Sequence, residues 1–212
     1  MNKFDGKLRI ILGFPRQGKT SFALTLLPTP HLFVCPGPSN PKVRSYPWVP
    51  DTDAGLEIVE QGWYEDSEGI KRDISKVDFA LYCLHGNPRL FEVLKSSKRA
   101  YCLDEVGNIC KDWDLKEAFK CWYREIGWRD GGLEVWATTQ RAIADIPPGA
   151  YTAAREIYWV GPCKSKRIQS LLYENTSLDL EEEEFNEKLR NLKKYNWANP
   201  NVSESVLKVL EY

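Results

Sequence analysis

The chain has 212 residues, 42 % of them hydrophobic and 28 % charged, and a formal net charge of −1. That length and balance predict one domain with a sizeable core and exclude a disordered chain. A charge so near zero supplies no bulk basic field for nucleic acid, so any such contact has to come from local loops.

Six cysteines (Cys35, Cys83, Cys102, Cys110, Cys121 and Cys163) show no CxxC pair, and only His31 and His85 could assist them, which argues against a zinc site. Several lie inside apolar runs, as reduced core thiols do, and so point to a reducing, cytoplasmic compartment. There the glycosylation patterns Asn175-Thr176-Ser177 and Asn201-Val202-Ser203 carry no weight. No stretch reads as a signal peptide, and no apolar run approaches the roughly 18 residues of a membrane span.

In chain order, Asn2-Lys3-Phe4-Asp5 spells a guanine-reading NKxD but precedes the site it would have to serve, so it reads as noise. Leu8, Ile10, Ile11 and Leu12 form a buried strand. Gly13-Phe14-Pro15-Arg16-Gln17-Gly18-Lys19-Thr20 is then a complete GxxxxGK[ST] loop, and a helical pattern runs from Ser21 to Leu27 before Pro28 and Pro30. Strand, glycine loop and helix are the context in which this motif binds phosphates. Backbone N–H groups of Gly13, Pro15's neighbours, Arg16, Gln17, Gly18, Lys19, Thr20 and Ser21 make an anion nest at a helix N-terminus. Lys19 is placed to reach the β- and γ-phosphates, and the Thr20 hydroxyl to hold Mg²⁺.

His31 to Cys35 is a short strand. From about 36 to 76 prolines interrupt the pattern, and Leu56 to Val59 with Ile70 to Arg72 read as a β-hairpin in a surface insertion. Val77 to Leu84 is the next strand, and a helix runs from Asn87-Pro88 to about Ser97. Ala100 to Leu103 is a buried strand ending in Asp104-Glu105, the Walker B arrangement: Asp104 helps hold Mg²⁺, and Glu105 polarises water toward the γ-phosphate. A helix from about Leu115 to Trp128 precedes the strand Leu133 to Ala137. At that strand's end Gln140 can bond both γ-phosphate and water, at the sheet edge where ligands collect in open α/β folds. Arg141 beside it reads as a sensor or an ion-pair partner. Pro147-Pro148-Gly149 marks a loop. Glu156 to Val160 and Arg167 to Leu172 look like paired strands around a cationic turn with Lys164 and Lys166. A helical tail covers about 174–212, with Ser203 as a cap. The expected fold is a single α/β domain over 1–212: a three-layer P-loop NTPase of RecA/ASCE type, with a mostly parallel central sheet, a hairpin insertion and that tail.

The loop, Asp104-Glu105 and Gln140 in this order resemble the FtsK–HerA family of DNA-pumping ATPases, viral genome-packaging branch. The likeness is strongest over Ala137 to Pro147, ATTQRAIADIP. More weakly the chain is similar to zonula occludens toxin and filamentous-phage assembly ATPases, and its loop and size also suit a small nucleoside or nucleotide kinase. The first resemblance implies hydrolysis of ATP with Mg²⁺ by a homo-oligomeric ring, pentamer or hexamer, acting on double-stranded DNA. It further implies a capsid vertex as partner and a place in the host cytoplasm or virion. It makes Arg124 or Arg129 the arginine finger reaching a neighbouring subunit. Lys164, Lys166 and Arg167 are the first candidates for DNA contact, and Ser97-Lys98-Arg99 the second. The family's Arg or Lys after Ile-Pro is missing from Pro148-Gly149-Ala150-Tyr151, and the doubled threonine leaves the strand's register open.

Overall fold

The computed structural model describes residues 8–37, 40–97, 99–110, 113–128, 134–146, 148–195 and 202–211. Strand β1 (Leu8–Leu12) runs into the glycine loop and helix α1 (Lys19–Leu26). β2 (Leu32–Cys35) follows, then α2 (Pro41–Arg44), β3 (Trp48–Pro50) and α3 (Asp53–Gln61). A hairpin of β4 (Trp63–Glu65) and β5 (Lys71–Asp73) leads to β6 (Phe79–Tyr82) and α4 (Leu90–Ser96). β7 (Tyr101–Leu103), α5 (Val106–Ile109), α6 (Trp113–Trp128), β8 (Val135–Thr139), α7 (Ala142–Asp145) and α8 (Pro148–Ala153) come next. The chain continues through β9 (Glu156–Val160), α9 (Lys166–Glu174), α10 (Glu182–Asn191), α11 (Val202–Ser205) and β10 (Val206–Glu211).

One eight-stranded sheet carries the order β10-β9-β1-β8-β7-β2-β6-β3, parallel throughout except for β10. Its strands are apolar on both faces because both are covered, as parallel sheets require. Leu8, Ile10 and Leu12 point into one cluster with Leu103, Phe91, Trp122 and Phe185, whereas Ile11 points into the other with Phe22, Phe33 and Trp136. Helix, sheet, helix is therefore the three-layer α/β arrangement expected from sequence. Strand β8 lies between β1 and β7, so the C-terminal ends of the P-loop, Walker B and glutamine strands sit side by side at one end of the sheet.

Several local expectations are corrected. Leu56 to Val59 is helical, in α3, despite its β-branched residues. Thr52 caps the helix by accepting from the Gly55 N–H at 3.2 Å, and Gly62 ends it at φ 79°. The hairpin forms one segment later, and 36–76 is not a surface insertion alone, since β3 extends the main sheet beside β6 and Leu56 and Ile74 are fully buried. Pro148-Gly149 opens α8 rather than a loop, with proline at the first helical position, where its missing N–H costs no bond. Arg167 to Leu172 is not a strand. It lies in α9, with Gln169 and Leu172 buried at i, i+3 spacing, while β9 pairs with β1 instead. The tail is helical through α10, but its end is strand β10, antiparallel to β9. The NKxD residues lie outside the described residues. All six cysteines are free thiols.

The opposite end of the sheet is stapled by Arg9, which pairs with Glu134 at 3.0 Å and Glu156 at 2.7 Å and stacks over Trp136. Burial pulls the Glu156 carboxyl up, but the Tyr158 hydroxyl, donating at 2.8 Å, and Arg9 outweigh it and hold it below the usual carboxylate range. A group depressed in the folded state stabilises fully above its unfolded value, about 4.3, and loses that contribution as pH falls through its folded value. Glu156→Gln should therefore lower the urea midpoint at pH 6 and flatten its fall between pH 5 and 3. Urea titrations across that range check it.

Candidate functional site

The loop after β1 is shaped by backbone that few residues adopt. Arg16 and Gly18 take left-handed conformations at φ 60° and 92°. Such alternation turns successive N–H groups inward as an anion nest. Gly13 is required by crowding, since a Cβ there would fall 2.6 Å from the Val160 carbonyl oxygen. At Gly18 a Cβ would fall 2.7 Å from both the ring and the carbonyl oxygen of Tyr195. Tyr195 also meets Phe22 edge-on at 6.0 Å, so the chain after α10 packs against the loop from outside. Pro15 and Arg16 are exposed, Gln17 lies against Gly161, and Ser21 accepts from Asn40 Nδ2 at 3.4 Å.

Lys19 is only 4 % exposed. Its Nζ donates to the Phe14 carbonyl at 3.2 Å and pairs with Glu105 Oε1 at 3.3 Å. Glu105 is held in left-handed backbone, at φ 57° and ψ 57°, immediately after β7. A non-glycine residue there costs of order 1–3 kcal/mol and persists only where its surroundings impose it. Here the Glu105 N–H donates to Thr138 Oγ1 at 2.9 Å, while its carbonyl accepts from the Asn108 N–H at 2.7 Å.

Asp104 ties the elements together. Thr20 Oγ1 lies 3.0 Å from each of its carboxylate oxygens, and Thr138 Oγ1 donates to Oδ1 at 2.7 Å. The carboxylate is fully enclosed. Burial, with a smaller contribution from the Glu105 charge, pushes its pKa up to about 6 against the two threonine bonds and Lys19. A buried negative charge beside a threonine hydroxyl, short of positive charge, fits a small divalent cation, whose hard oxygen sites need only one or two carboxylates plus substrate phosphates. Thr20 and Asp104 are the residues that would hold it. Among the described residues no three His, Cys, Asp or Glu side chains converge as a separate metal site.

The register of β8 is settled. Thr138 pairs with Ile11 and Thr139 with Leu12, and successive side chains point to opposite faces. Thr138 therefore meets Asp104, and Thr139 Oγ1 instead donates to Asp145 Oδ2 at 2.6 Å. Gln140, half-buried, follows β8 directly. Of the sensor and ion-pair readings of Arg141, the ion pair is seen: its Nη2 lies 3.0 Å from Asp145 Oδ1.

Lys19, Thr20, Asp104 and Glu105 thus converge, and Gln140 follows β8 at the same end of the sheet. Arg124 lies on α6, but Arg129 lies outside the described residues, so neither is placed against this site. Lys164, Lys166 and Arg167 are exposed where the chain leaves β9 for α9, at the same end of the sheet as the P-loop. Lys98 lies outside the described residues, and Arg99 is drawn inward, donating to the His31 carbonyl at 2.9 Å and to the Val77 carbonyl. Sequence reading missed Thr138 and Tyr195. Thr138 was visible only as half of a doubled threonine, and nothing in the tail marks Tyr195 as a neighbour of Gly18.

Thr138→Val keeps shape but leaves the buried Glu105 N–H without a partner, a loss of about 1–3 kcal/mol. Urea denaturation should show a drop of that order, and titration with a fluorescent ATP analogue plus Mg²⁺ should show weaker binding. An unchanged midpoint would mean that Thr138 does not hold the Walker B turn.

No protein-family model matches the chain, and no curated protein sequence matches it significantly. Among solved structures it is similar to the genome packaging NTPase B204 from Sulfolobus turreted icosahedral virus 2. With ATP-γS bound, B204 superposes at a TM-score of 0.54 and 15 % identity over 97 % of both chains. With AMPPCP the values are 0.55 and 14 % over 100 % of both, and with AMP 0.54 and 16 % over 100 % of both. At such identities the likeness is one of fold. The chain has the α/β P-loop NTPase fold with a strand inserted between the P-loop and Walker B strands, shared along its whole length with B204.

Proposed function

We propose that the protein is an ATPase that moves double-stranded DNA as a ring of identical subunits, in the manner of the FtsK–HerA packaging motors. The observation that carries this reading is Glu105 Oε1 at 3.3 Å from Lys19 Nζ. It puts a carboxylate one residue beyond Asp104 at the mouth of the phosphate loop, where a hydrolase would use a general base on the attacking water. The whole-length likeness to a viral NTPase whose complexes hold ATP analogues supports the choice of nucleotide and of cargo.

In this reading the loop backbone from Gly13 to Ser21 cradles the phosphates, and Lys19 exchanges its Glu105 partner for the β- and γ-phosphates. Thr20 and Asp104 would hold Mg²⁺, which would neutralise phosphate charge. Glu105, released from Lys19, takes the proton of the attacking water, and Gln140 orients that water. Arg124 or Arg129 of a neighbouring subunit supplies transition-state charge stabilisation. Lys164, Lys166 and Arg167, repeated around the ring, track the phosphate backbone with a salt-sensitive grip. The setting we assign is the host cytoplasm or the virion, at a capsid vertex. No helix among the described residues is long and apolar enough to cross a membrane.

Glu105→Gln should retain ATP with an affinity within about threefold of the parent while turnover falls by about 10²-fold or more. Normal hydrolysis by that variant would remove Glu105 as the base. Double-stranded DNA should raise the parent's ATPase rate severalfold, less so at higher salt, and the triple variant Lys164→Ala, Lys166→Ala, Arg167→Ala should blunt that rise. Phosphorylation of an added nucleoside without DNA stimulation would instead favour the kinase reading. Membrane co-sedimentation without DNA stimulation would favour the assembly ATPase.

A further inference from the structure

Between the two turns that present Glu105 and Gln140 lies a carboxylate that the reaction above does not use. Asp145 ends α7 with its side chain 7 % exposed. One oxygen accepts from Thr139 Oγ1 at 2.6 Å and the other pairs with Arg141 Nη2 at 3.0 Å. Thr139 Oγ1 in turn accepts from the Arg141 N–H at 3.2 Å, and the Asp145 N–H donates to the Arg141 carbonyl at 2.9 Å. Gln140 sits in the middle of this ring of bonds, so its backbone has little freedom to move without breaking one of them.

The same carboxylate presses on the Walker B turn. A Cβ at Gly107 would lie 2.1 Å from Asp145 Oδ2 and 2.5 Å from Oδ1, so the glycine is there because the carboxylate occupies that space. Gly107 is two residues beyond Glu105, inside the short α5, whose first bonds run from the Asn108 and Ile109 N–H groups to the Glu105 carbonyl. The strained backbone of Glu105 is thus buttressed from one side by Thr138 and from the other, through Gly107, by Asp145.

We propose that Asp145 is a positioning residue that locks the Gln140 turn to the Glu105 turn, so that the water-orienting amide and the proton-accepting carboxylate hold one spacing. This rests on the reading of those two residues as the hydrolytic pair. Arg141 anchors the carboxylate from the solvent side. The lock also gives a route by which displacement of either turn reaches the other within one subunit.

Two measurements test it. In steady-state ATPase assays Asp145→Asn and Thr139→Val should each lower kcat about tenfold with KM for ATP within threefold. The double variant should lose less than the product of the two single losses, because both weaken the Thr139–Asp145 link. Asp145→Glu, which keeps the charge but shifts the oxygens into Gly107's space, should not rescue. In nucleotide-free protein, amide hydrogen exchange at Asn108, Ile109 and Cys110 should quicken about tenfold in Thr139→Val, while amides of α10 exchange as before. Asp145→Asn, which leaves β8 and its packing on α5 in place, should quicken the same amides, marking the carboxylate as the route. Unchanged kcat in both single variants, or exchange that is unaltered or raised equally everywhere, would overturn the proposal. If the parent protein hydrolysed no ATP, the ATPase reading would fall by itself, and the exchange experiment would still decide whether Asp145 ties the two turns.

Discussion

A single buried carboxylate organises the candidate site. Asp104 touches the first turn of the P-loop helix through Thr20 and the neighbouring strand through Thr138, and so fixes three segments that are far apart in sequence. Enclosure makes that arrangement costly unless positive charge arrives, which is why its pKa rises to about 6. A divalent cation held by Thr20 and Asp104 would offset that charge.

The sheet order makes this convergence possible. If β7 lay directly beside β1, Thr138 would have no place between Thr20 and the Walker B turn. Insertion of β8 puts one threonine against Asp104 and the Glu105 N–H, and the alternating pleat turns the next toward Asp145. Two adjacent threonines thus serve two different carboxylates, and the doubled residue that blurred the register in the sequence is what allows both contacts. Lys19 and Glu105 hold each other at 3.3 Å across the mouth of the loop.

Legibility followed locality. The P-loop, the acidic pair and the strand-end glutamine could be read directly, because each is a short motif whose chemistry depends on contiguous residues and a strand end. Long apolar runs such as Leu32–Cys35 and Phe79–Tyr82 gave away a doubly covered parallel sheet. What failed were segments whose state is decided by tertiary partners. Arg167–Leu172 reads as the partner strand of Glu156–Val160, but it folds as α9, and β9 pairs with β1 and β10 instead. Val206–Glu211 looks like the end of a helical tail until β9 presents an open edge for antiparallel pairing. Leu56–Val59 was misread because β-branched residues outweighed the capping signals of Thr52 and Gly62. Thr138, Tyr195 and the Asp145–Gly107 contact belong to the same class: each acts across the sheet or from the far end of the chain, with no local spacing to announce it.

The most direct measurement is a structure of the protein with Mg²⁺ and a non-hydrolysable ATP analogue. The expected result has Lys19 Nζ moved from Glu105 onto the β- and γ-phosphate oxygens, Mg²⁺ bound by way of Thr20 and Asp104, and Glu105 with Gln140 within one water of the γ-phosphate. Nucleotide bound elsewhere, or Glu105 still paired with Lys19 and turned from the phosphates, would contradict it.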